Sequence, residues 1–406
     1  MRVTISPGRA VGVIEAPRSK SVAHRLLIMA GLAPGQSVIT RVDPSDDLQA
    51  TIDCLQALGA AVDYNDGTAV VTGTDPSRFP EGAVLRCRES GSTLRFLIPA
   101  ALLSGKVITF TGKSSLFSRP LDVYRDLCRE RDLRFDLTGS SLTVRGPLSP
   151  GEFLVPGDIS SQFITGLLLA LPLLDGDSRI RLLPPVESRP YVDLTLDAMQ
   201  KNGVSVSSAG DTLYIGGRQS YTPLRSVVEG DWSGAAFFLA LSRLGGDVGV
   251  LGLPRHTHQA DRVCPGVFDA LTAGQTTVDL SDHPDLGPVA MAMAAAFNGA
   301  TFTGVRRLRF KESDRCAAMA EELAKFGVEC RMSENTMTIC AAPLRRPDQP
   351  LSAHSDHRIA MALSILATVT GADLDGAEAA GKSMPDFYRL LQKLGIEVII
   401  HDDRCV

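Results

Sequence analysis

Read for its hydrophobic and polar positions, the chain keeps returning to one pattern. It appears as SKSVAHRLLIMAGLA from Ser19, SGSTLRFLIPAALLSG from Ser90 and SSQFITGLLLALPLLDG from Ser160. It recurs as SGAAFFLALSRLGG from Ser233, DLGPVAMAMAAAFNG from Asp285 and HSDHRIAMALSILATVTG from His354. Each carries Ser or Asp at its head, runs apolar for three to four turns and meets Gly before a short β-type run. A helix apolar nearly all round is buried on every side. Ser and Asp suit the head because their oxygens accept from free first-turn amides. Gly suits the left-handed position past the end. Six buried helices are expected.

Between them lies a second helix type with a single apolar face. SDDLQATIDCLQALG places Leu48, Ile52, Leu55 and Leu58 at helical spacing, and SDRCAAMAEELAKFG places Met319, Leu323 and Phe326. PDFYRLLQKLG does the same with Phe387, Leu390, Leu391 and Leu394. PLDVYRDLCRERD and YVDLTLDAMQKNG fit this surface slot, and DRVCPGVFDALTAG fits it poorly. Most are followed by two short runs about a polar turn, as in AAVDYNDGTAVVTG and VECRMSENTMTICA, which signals a hairpin. Strand, surface helix, hairpin and buried helix thus recur six times. Copy four lacks its second hairpin strand and the last copy stops at IEVIIHDDRCV. The N-terminal MRVTISPGRAVGVIEA is left to supply the missing strands. The expected class is α/β (α+β) in two three-repeat domains, 17–228 in one and 1–16 plus 229–406 in the other.

Length and composition bound this picture without altering it. A chain of 406 residues exceeds what one core holds, and 44% hydrophobic with 21% charged residues is the balance of a globular protein. No apolar run reaches the roughly 20 residues of a membrane span, and the N-terminus lacks a signal-peptide layout. A net charge of -5 argues against bulk nucleic-acid affinity. Cys54, Cys87, Cys128, Cys264, Cys316, Cys330, Cys340 and Cys405 form no C-x-x-C pair and read as small buried hydrophobes. A reduced, cytoplasmic protein is expected. His354 and His357 have H-x-x-H spacing, but no H-E-x-x-H or cysteine partner accompanies them, so no metal is expected.

The heads of the buried helices carry unexpected polarity. Lys20, Ser21 and Arg25 mark the first, Arg95 the second, and Ser160, Ser161 and Gln162 the third. Asp282 and Asp285 open the fifth, His357 and Arg358 the sixth, with Ser355 or Asp356 as its cap. A helix N-terminus favours anions, and several together with Arg and Lys could hold phosphates or carboxylates. Further cations stand before prolines or in first turns: Arg119, Arg189, Lys311 and Arg315 in RFKESDR, and Lys382. Ser313 reads as the cap there. Of Asp279, Asp282 and Asp285, a turn and an N-cap account for two. A carboxylate among many cations would stay ionised and could act as a base.

The segments RSKSVAHR, ESGSTLRF, SRPLD, ISSQFITGLLLALPLL, ESRPYVDLTL, HPDLGPVA, FKESDRC, HSDHRIAMA and GKSMPDFY resemble, in order and spacing, the motifs of the 5-enolpyruvylshikimate-3-phosphate synthase family. The resemblance runs from about residue 6 to 395. It implies an inside-out α/β barrel of two pseudo-threefold domains, each of three βαβαββ-type repeats, with the active site in the cleft between them. It implies transfer of the enolpyruvyl group of phosphoenolpyruvate to the 5-hydroxyl of shikimate 3-phosphate, in aromatic amino acid biosynthesis, by a monomer without cofactor.

Carried over residue by residue, Lys20, Ser21 and Arg25 would hold shikimate 3-phosphate. Ser160, Ser161, Gln162, Ser188, Tyr191, Asp285 and Lys311 would complete its contacts. Phosphoenolpyruvate would meet Lys20, Gly91, Arg119, Gln162, Arg315, Arg358 and Lys382. Asp285 would take the hydroxyl proton, and Glu312 or Lys20 would protonate the methylene carbon. Two phosphates and two carboxylates demand many cations, and Arg forks match their planar edges. Glu89 and Arg307 stand where some members have Asn, and Arg18 where Gly is common. The sibling enzyme acting on UDP-N-acetylglucosamine normally carries Lys-Asn and a loop cysteine. Here the pair is Lys20-Ser21, and GKSSLFS has no cysteine. A six-repeat DNA clamp would need basic inner helices, and these are apolar.

Overall fold

The computed structural model describes residues 1–401; Cys405 and the last residues of the final repeat lie outside the described residues. The six apolar segments form helices Lys20–Leu32, Gly91–Leu102, Ser161–Ala170, Trp232–Arg243, Gly287–Ala296 and His357–Thr370. Their burial extends all round. Every residue from Gly287 to Ala295 is buried, as is every residue from His357 to Thr368. The one-faced patterns form helices Asp46–Ala57, Asp122–Glu130, Arg189–Lys201, Arg315–Lys325 and Phe387–Lys393. The poorly fitting segment forms Cys264–Ala273 in the same slot.

The strands assemble by one rule. Two strands flanking a buried helix lie parallel, and the second pairs antiparallel with a hairpin. Thus Ala83–Arg88 lies beside Val107–Gly112, which pairs with Ser141–Arg145 and through it Arg134–Leu137. The sheet of Glu152–Pro156, Ser178–Leu183, Thr212–Ile215 and Val206–Ala209 repeats the order. So does that of Thr276–Asp279, Ala300–Thr303, Thr336–Ile339 and Cys330–Met332. Alternate residues of Ala83–Arg88 and Ser178–Leu183 are buried against the helices, as a two-residue side-chain period requires.

The N-terminal segment is split between two places. Arg2–Ile5 pairs antiparallel with both Ala372–Asp375 and Val398–His401, occupying the hairpin position of the last repeat. Val11–Glu15 lies parallel to Asp247–Leu251. The strand that leads into the fourth helix, Arg225–Val227, pairs instead with Gln36–Thr40 beyond the first. The strands entering the first and fourth helices have exchanged places.

The chain divides into two compact units, Lys20–Glu229 in one, and Met1–Ser19 with the described residues from Gly230 onward in the other. Each has its own core. Leu27, Leu97 and Leu168 lie at the centre of one, and Phe237, Met291 and Ile365 at the centre of the other. Helices approach closely where a side chain is missing. A Cβ at Gly166 would fall 2.3 Å from the Tyr124 hydroxyl and 2.4 Å from the Arg95 carbonyl oxygen. No helix among the described residues is long and apolar enough to cross a membrane.

Some helix starts differ from the expected ones. Asp231, not Ser233, caps the fourth helix, accepting from Gly234 N at 3.0 Å. Asp285 does not cap the fifth but lies in the 3-10 turn Pro284–Leu286 before it. Asp314, not Ser313, caps Arg315–Lys325, and Asp356 caps the sixth. Ser beside Asp offers two oxygens one residue apart, and the preceding chain's path decides which reaches the amide.

Candidate active site

In the unit Lys20–Glu229 the candidate polar residues stand on the heads of three buried helices, with Arg119 in the loop before Pro120. Lys20 opens the first and donates to Asp47 Oδ2 at 2.7 Å. Arg25, one turn further in, is buried and holds only neutral oxygens. Nε donates to Thr195 Oγ1 at 2.9 Å, Nη1 to the Ser21 carbonyl at 2.7 Å, and Nη2 to the Tyr191 carbonyl at 3.1 Å and Thr165 Oγ1 at 3.3 Å. Phe96 lies beneath it, 5.3 Å from ring centroid to guanidinium carbon. Burial pulls its pKa down to about 10, so the group is still a cation at neutral pH, with no ion-paired carboxylate among the described residues. An unmatched buried charge is costly and favours an arriving anion.

The second and third helices meet over Gln162. Its Oε1 accepts from Arg95 Nη1 at 2.7 Å and its Nε2 donates to Ser92 Oγ at 3.0 Å. Arg95 also donates to the Pro120 carbonyl at 2.9 Å, tying down the backbone beside Arg119. Arg119 Nη1 would be 2.9 Å from a Cβ at Gly91, so the bare glycine leaves the guanidinium room against the helix head. Ser160 caps the third helix through Gln162 N, and Ser161 is buried behind it. Ser188 is buried with φ 56°, a left-handed backbone that costs a non-glycine residue energy and often marks a functional site. Glu89 pairs with Lys113, and Arg18, in the other unit, with Glu15 at 2.7 Å.

The second unit gathers its candidates more tightly. Arg315, 1% exposed, donates through Nε to Asp356 Oδ2 at 2.8 Å, through Nη1 to Asp285 Oδ1 at 3.0 Å and through Nη2 to Glu312 Oε2 at 2.8 Å. A fourth bond runs from Nη2 to Asp356 Oδ1 at 3.4 Å. Burial works against its charge, but Asp356, Glu312 and Asp285 outweigh that and raise its pKa. Arg358 Nη2 donates to Asp285 Oδ2 at 3.1 Å and Nη1 to the Asp285 carbonyl at 3.0 Å. Lys311 Nζ lies 3.4 Å from Asp285 Oδ1. Burial would raise the pKa of Asp285; Arg358, Lys311 and Arg315 overrule it and hold the carboxyl well below the ordinary range. The same burial lowers Lys311, partly offset by Asp285. Lys382 Nζ donates to the Ser355 carbonyl at 2.6 Å. Arg307 is buried and donates to the Ser281 carbonyl.

Asp285, Lys311, Glu312, Arg315 and Arg358 thus share one cluster. Lys20, Ser21 and Arg25 lie along one helix head, and Gly91, Arg119 and Gln162 meet at another. His354 and His357 do not pair. The His354 ring bonds Glu322 at 2.9 Å, and His357 is buried at the helix head. Glu321, Glu322 and His354 present ligand-type atoms within 4.8 Å, but Lys325 already matches Glu322, at 2.9 Å. Sequence reading missed Asp47 as the partner of Lys20 and gave Asp356 only a capping role. S-D-D at a helix start signalled the first weakly, and nothing local signalled the second.

Comparison with known proteins adds a family. The family model described as EPSP synthase (3-phosphoshikimate 1-carboxyvinyltransferase) matches residues 5–391. A 3-phosphoshikimate 1-carboxyvinyltransferase of Clostridium kluyveri is 38% identical, covering 98% of both chains. One from Brachyspira hyodysenteriae is 35% identical over 98% of this chain and 100% of its own. The solved EPSP synthase from Acinetobacter baumannii superposes with a TM-score of 0.79 at 21% identity, covering 98% of this chain and 100% of that one; this likeness concerns the fold.

Proposed function

The chain belongs to the EPSP synthase family, and on that premise we propose that it acts on a pair of anionic substrates. The reaction is transfer of the enolpyruvyl group of phosphoenolpyruvate to shikimate 3-phosphate, a step of aromatic amino acid biosynthesis. Arg25, with Lys20, Ser21, Ser160, Ser161, Gln162, Ser188 and Tyr191, is assigned to shikimate 3-phosphate. Its unmatched buried charge supports the assignment. Gly91, Arg119, Gln162, Arg315, Arg358, Lys382 and Lys20 are assigned to phosphoenolpyruvate.

The observation that carries the mechanism is the cation cage around Asp285. A carboxylate so held is ionised at every working pH, which a proton acceptor must be. It is also a weak base while three cations face it. An arriving phosphate or carboxylate competes with Asp285 for Arg358 and Lys311, and each donor it takes restores basicity to Asp285. Asp285 then takes the 5-hydroxyl proton as that oxygen attacks C2 of phosphoenolpyruvate. Glu312 or Lys20 delivers a proton to the methylene carbon, giving a tetrahedral ketal phosphate. Loss of a methyl proton and expulsion of phosphate regenerate the enol double bond on the new ether. Arg315 has one Nη1 hydrogen uncommitted beyond its bonds to Asp356, Asp285 and Glu312. Its larger part is to fix those three carboxylates.

The test is direct. Purified protein mixed with shikimate 3-phosphate and phosphoenolpyruvate should release inorganic phosphate and form the enolpyruvyl ether. No release from a folded preparation sinks the proposal.

A further inference from the structure

The fourth buried helix has no Lys or Arg at its head, and its N-terminus is closed by groups of the chain itself. Besides the Asp231 cap, Gln259 Oε1 accepts from Trp232 N at 2.8 Å while its amide donates to the Gly230 carbonyl at 2.8 Å. The Ser233 hydroxyl donates to Asp261 Oδ2. Asp261 sits in the 3-10 turn Ala260–Val263 and is 1% exposed. Among the described residues its other oxygen, Oδ1, has no hydrogen-bond partner. A buried carboxylate left half satisfied is expensive, so an acid at this position calls for a reason other than packing. The fourth helix packs against both the Asp261 turn and the turn that carries Asp285. The charged or titratable groups facing Asp261 are Asp285 and His283 from that turn and its approach, Arg358 from the sixth helix, and Cys264 on its own side.

We propose that Asp261 is a positioning residue for the reaction: in its ionised form, fixed by Ser233, it opposes the cations around Asp285 and keeps that carboxylate basic enough to accept the hydroxyl proton. The inference rests on the assignment of Asp285 as base. Arg358, Lys311 and Arg315 keep Asp285 ionised at the expense of its basicity, and a second negative charge offsets part of their pull. Burial, then Asp285, raise the proton affinity of Asp261, while Arg358, the Ser233 hydroxyl and His283 lower it, for a net rise. As pH falls, Asp261 therefore takes up a proton before Asp285 does, and its help is withdrawn.

The experiment is the pH profile of kcat for the wild type, Asp261→Asn and Ser233→Ala, with Asp285→Asn as control. Asn keeps the shape and the bond from Ser233 but not the charge. Its plateau should be about three- to tenfold lower, its acid limb should move to lower pH, and its dissociation constant for shikimate 3-phosphate should stay within about twofold. Ser233→Ala keeps the acid but loses the bond that favours its anion, so its acid limb should move to higher pH. An Asp261→Asn enzyme with the wild-type plateau and acid limb overturns the proposal, whatever its melting temperature. Should that variant fail to fold, an unmoved limb in Ser233→Ala overturns it alone. Wild-type turnover in Asp285→Asn removes the base assignment and this inference with it. An inactive Asp285→Asn beside an unaltered Asp261→Asn removes only the role of Asp261.

Discussion

Replacing Asp356 with Asn isolates the buried ion pair on which the Arg315 cluster depends. Asp356 is fully buried, accepts from Arg315 Nε at 2.8 Å and Nη2 at 3.4 Å, and takes the amide of Arg358 at 2.9 Å. Asn is as good an N-cap as Asp, so the helix start survives and only the charge is lost. Removing one partner of a buried pair costs about 3–5 kcal/mol when the other charge is left uncompensated. Arg315 still has Glu312 at 2.8 Å and Asp285 at 3.0 Å. The expected cost is therefore near or below the bottom of that range, about 2–3 kcal/mol. At roughly 2–4 °C per kcal/mol for a unit of this size, the melting temperature should fall by about 4–12 °C. Asp356→Ala should lose about 1 kcal/mol more, because the cap goes too.

The pH dependence sharpens the test. Burial raises the pKa of Asp356, but the attraction of Arg315, the nearby His357 and the hydrogen bond from Arg315 together outweigh burial and Glu312, and the net shift is downward. A carboxyl with a depressed folded-state pKa contributes stability above its unfolded pKa of about 3.9 and loses it as pH falls through the folded value. The gap in melting temperature between wild type and Asp356→Asn, followed by calorimetry, should be constant near neutrality and shrink below about pH 4. No gap at neutral pH, or a gap that persists undiminished in acid, refutes the argument.

Three further outcomes are expected. Gly91→Ala puts a methyl 2.9 Å from Arg119 Nη1, the mobile end of a side chain. Its melting temperature should hardly change while KM for phosphoenolpyruvate rises on the order of tenfold; unchanged steady-state kinetics would separate Arg119 from that substrate. Arg25→Lys keeps a charge but loses the fork that spans Thr195, Ser21, Thr165 and Tyr191. Shikimate 3-phosphate should bind about 10–100-fold more weakly by titration calorimetry, and undiminished affinity would argue for a purely structural Arg25. Gly166→Ala drives a methyl to within 2.4 Å of a backbone oxygen that cannot turn aside. It should destabilise by about 3 kcal/mol, the upper end for overpacking, and an unshifted urea midpoint would contradict the close helix approach.

The fold was legible because its signal is redundant. A helix buried on all sides must be apolar on all sides, and six such runs are hard to mistake when one-faced helices and hairpins alternate with them. Less was visible at the helix heads, where Asp231 displaced Ser233 and Asp314 displaced Ser313. Residues whose meaning depends on a distant partner were invisible. Asp47 meets Lys20 across 27 positions, Asp261 meets Ser233 across 28, and Asp356 meets Arg315 across 41. Nothing in the local pattern distinguishes an aspartate that will be buried against a guanidinium from one that merely starts a helix. The motif cations were legible as positions, but not their internal partners.

Those partners separate Arg25 chemically from the cations of the other unit. Arg25 faces only neutral oxygens, so an anion reaching it meets an unbalanced charge and displaces no carboxylate. In the other unit, Lys311, Arg315 and Arg358 are bound to Asp285, and Arg315 to Glu312 and Asp356 as well. An anion arriving there must compete with the chain's own carboxylates. Competition costs affinity, but it gives the competitor a second effect, because the carboxylate displaced most readily is Asp285, whose side chain is 20% exposed, and not the fully buried Asp356. With the roles proposed above, binding of the donor substrate then becomes the event that frees the base. An ionised aspartate caged by three cations stays inert toward water and toward shikimate 3-phosphate alone, and turns basic when the second anion takes its place on Arg358.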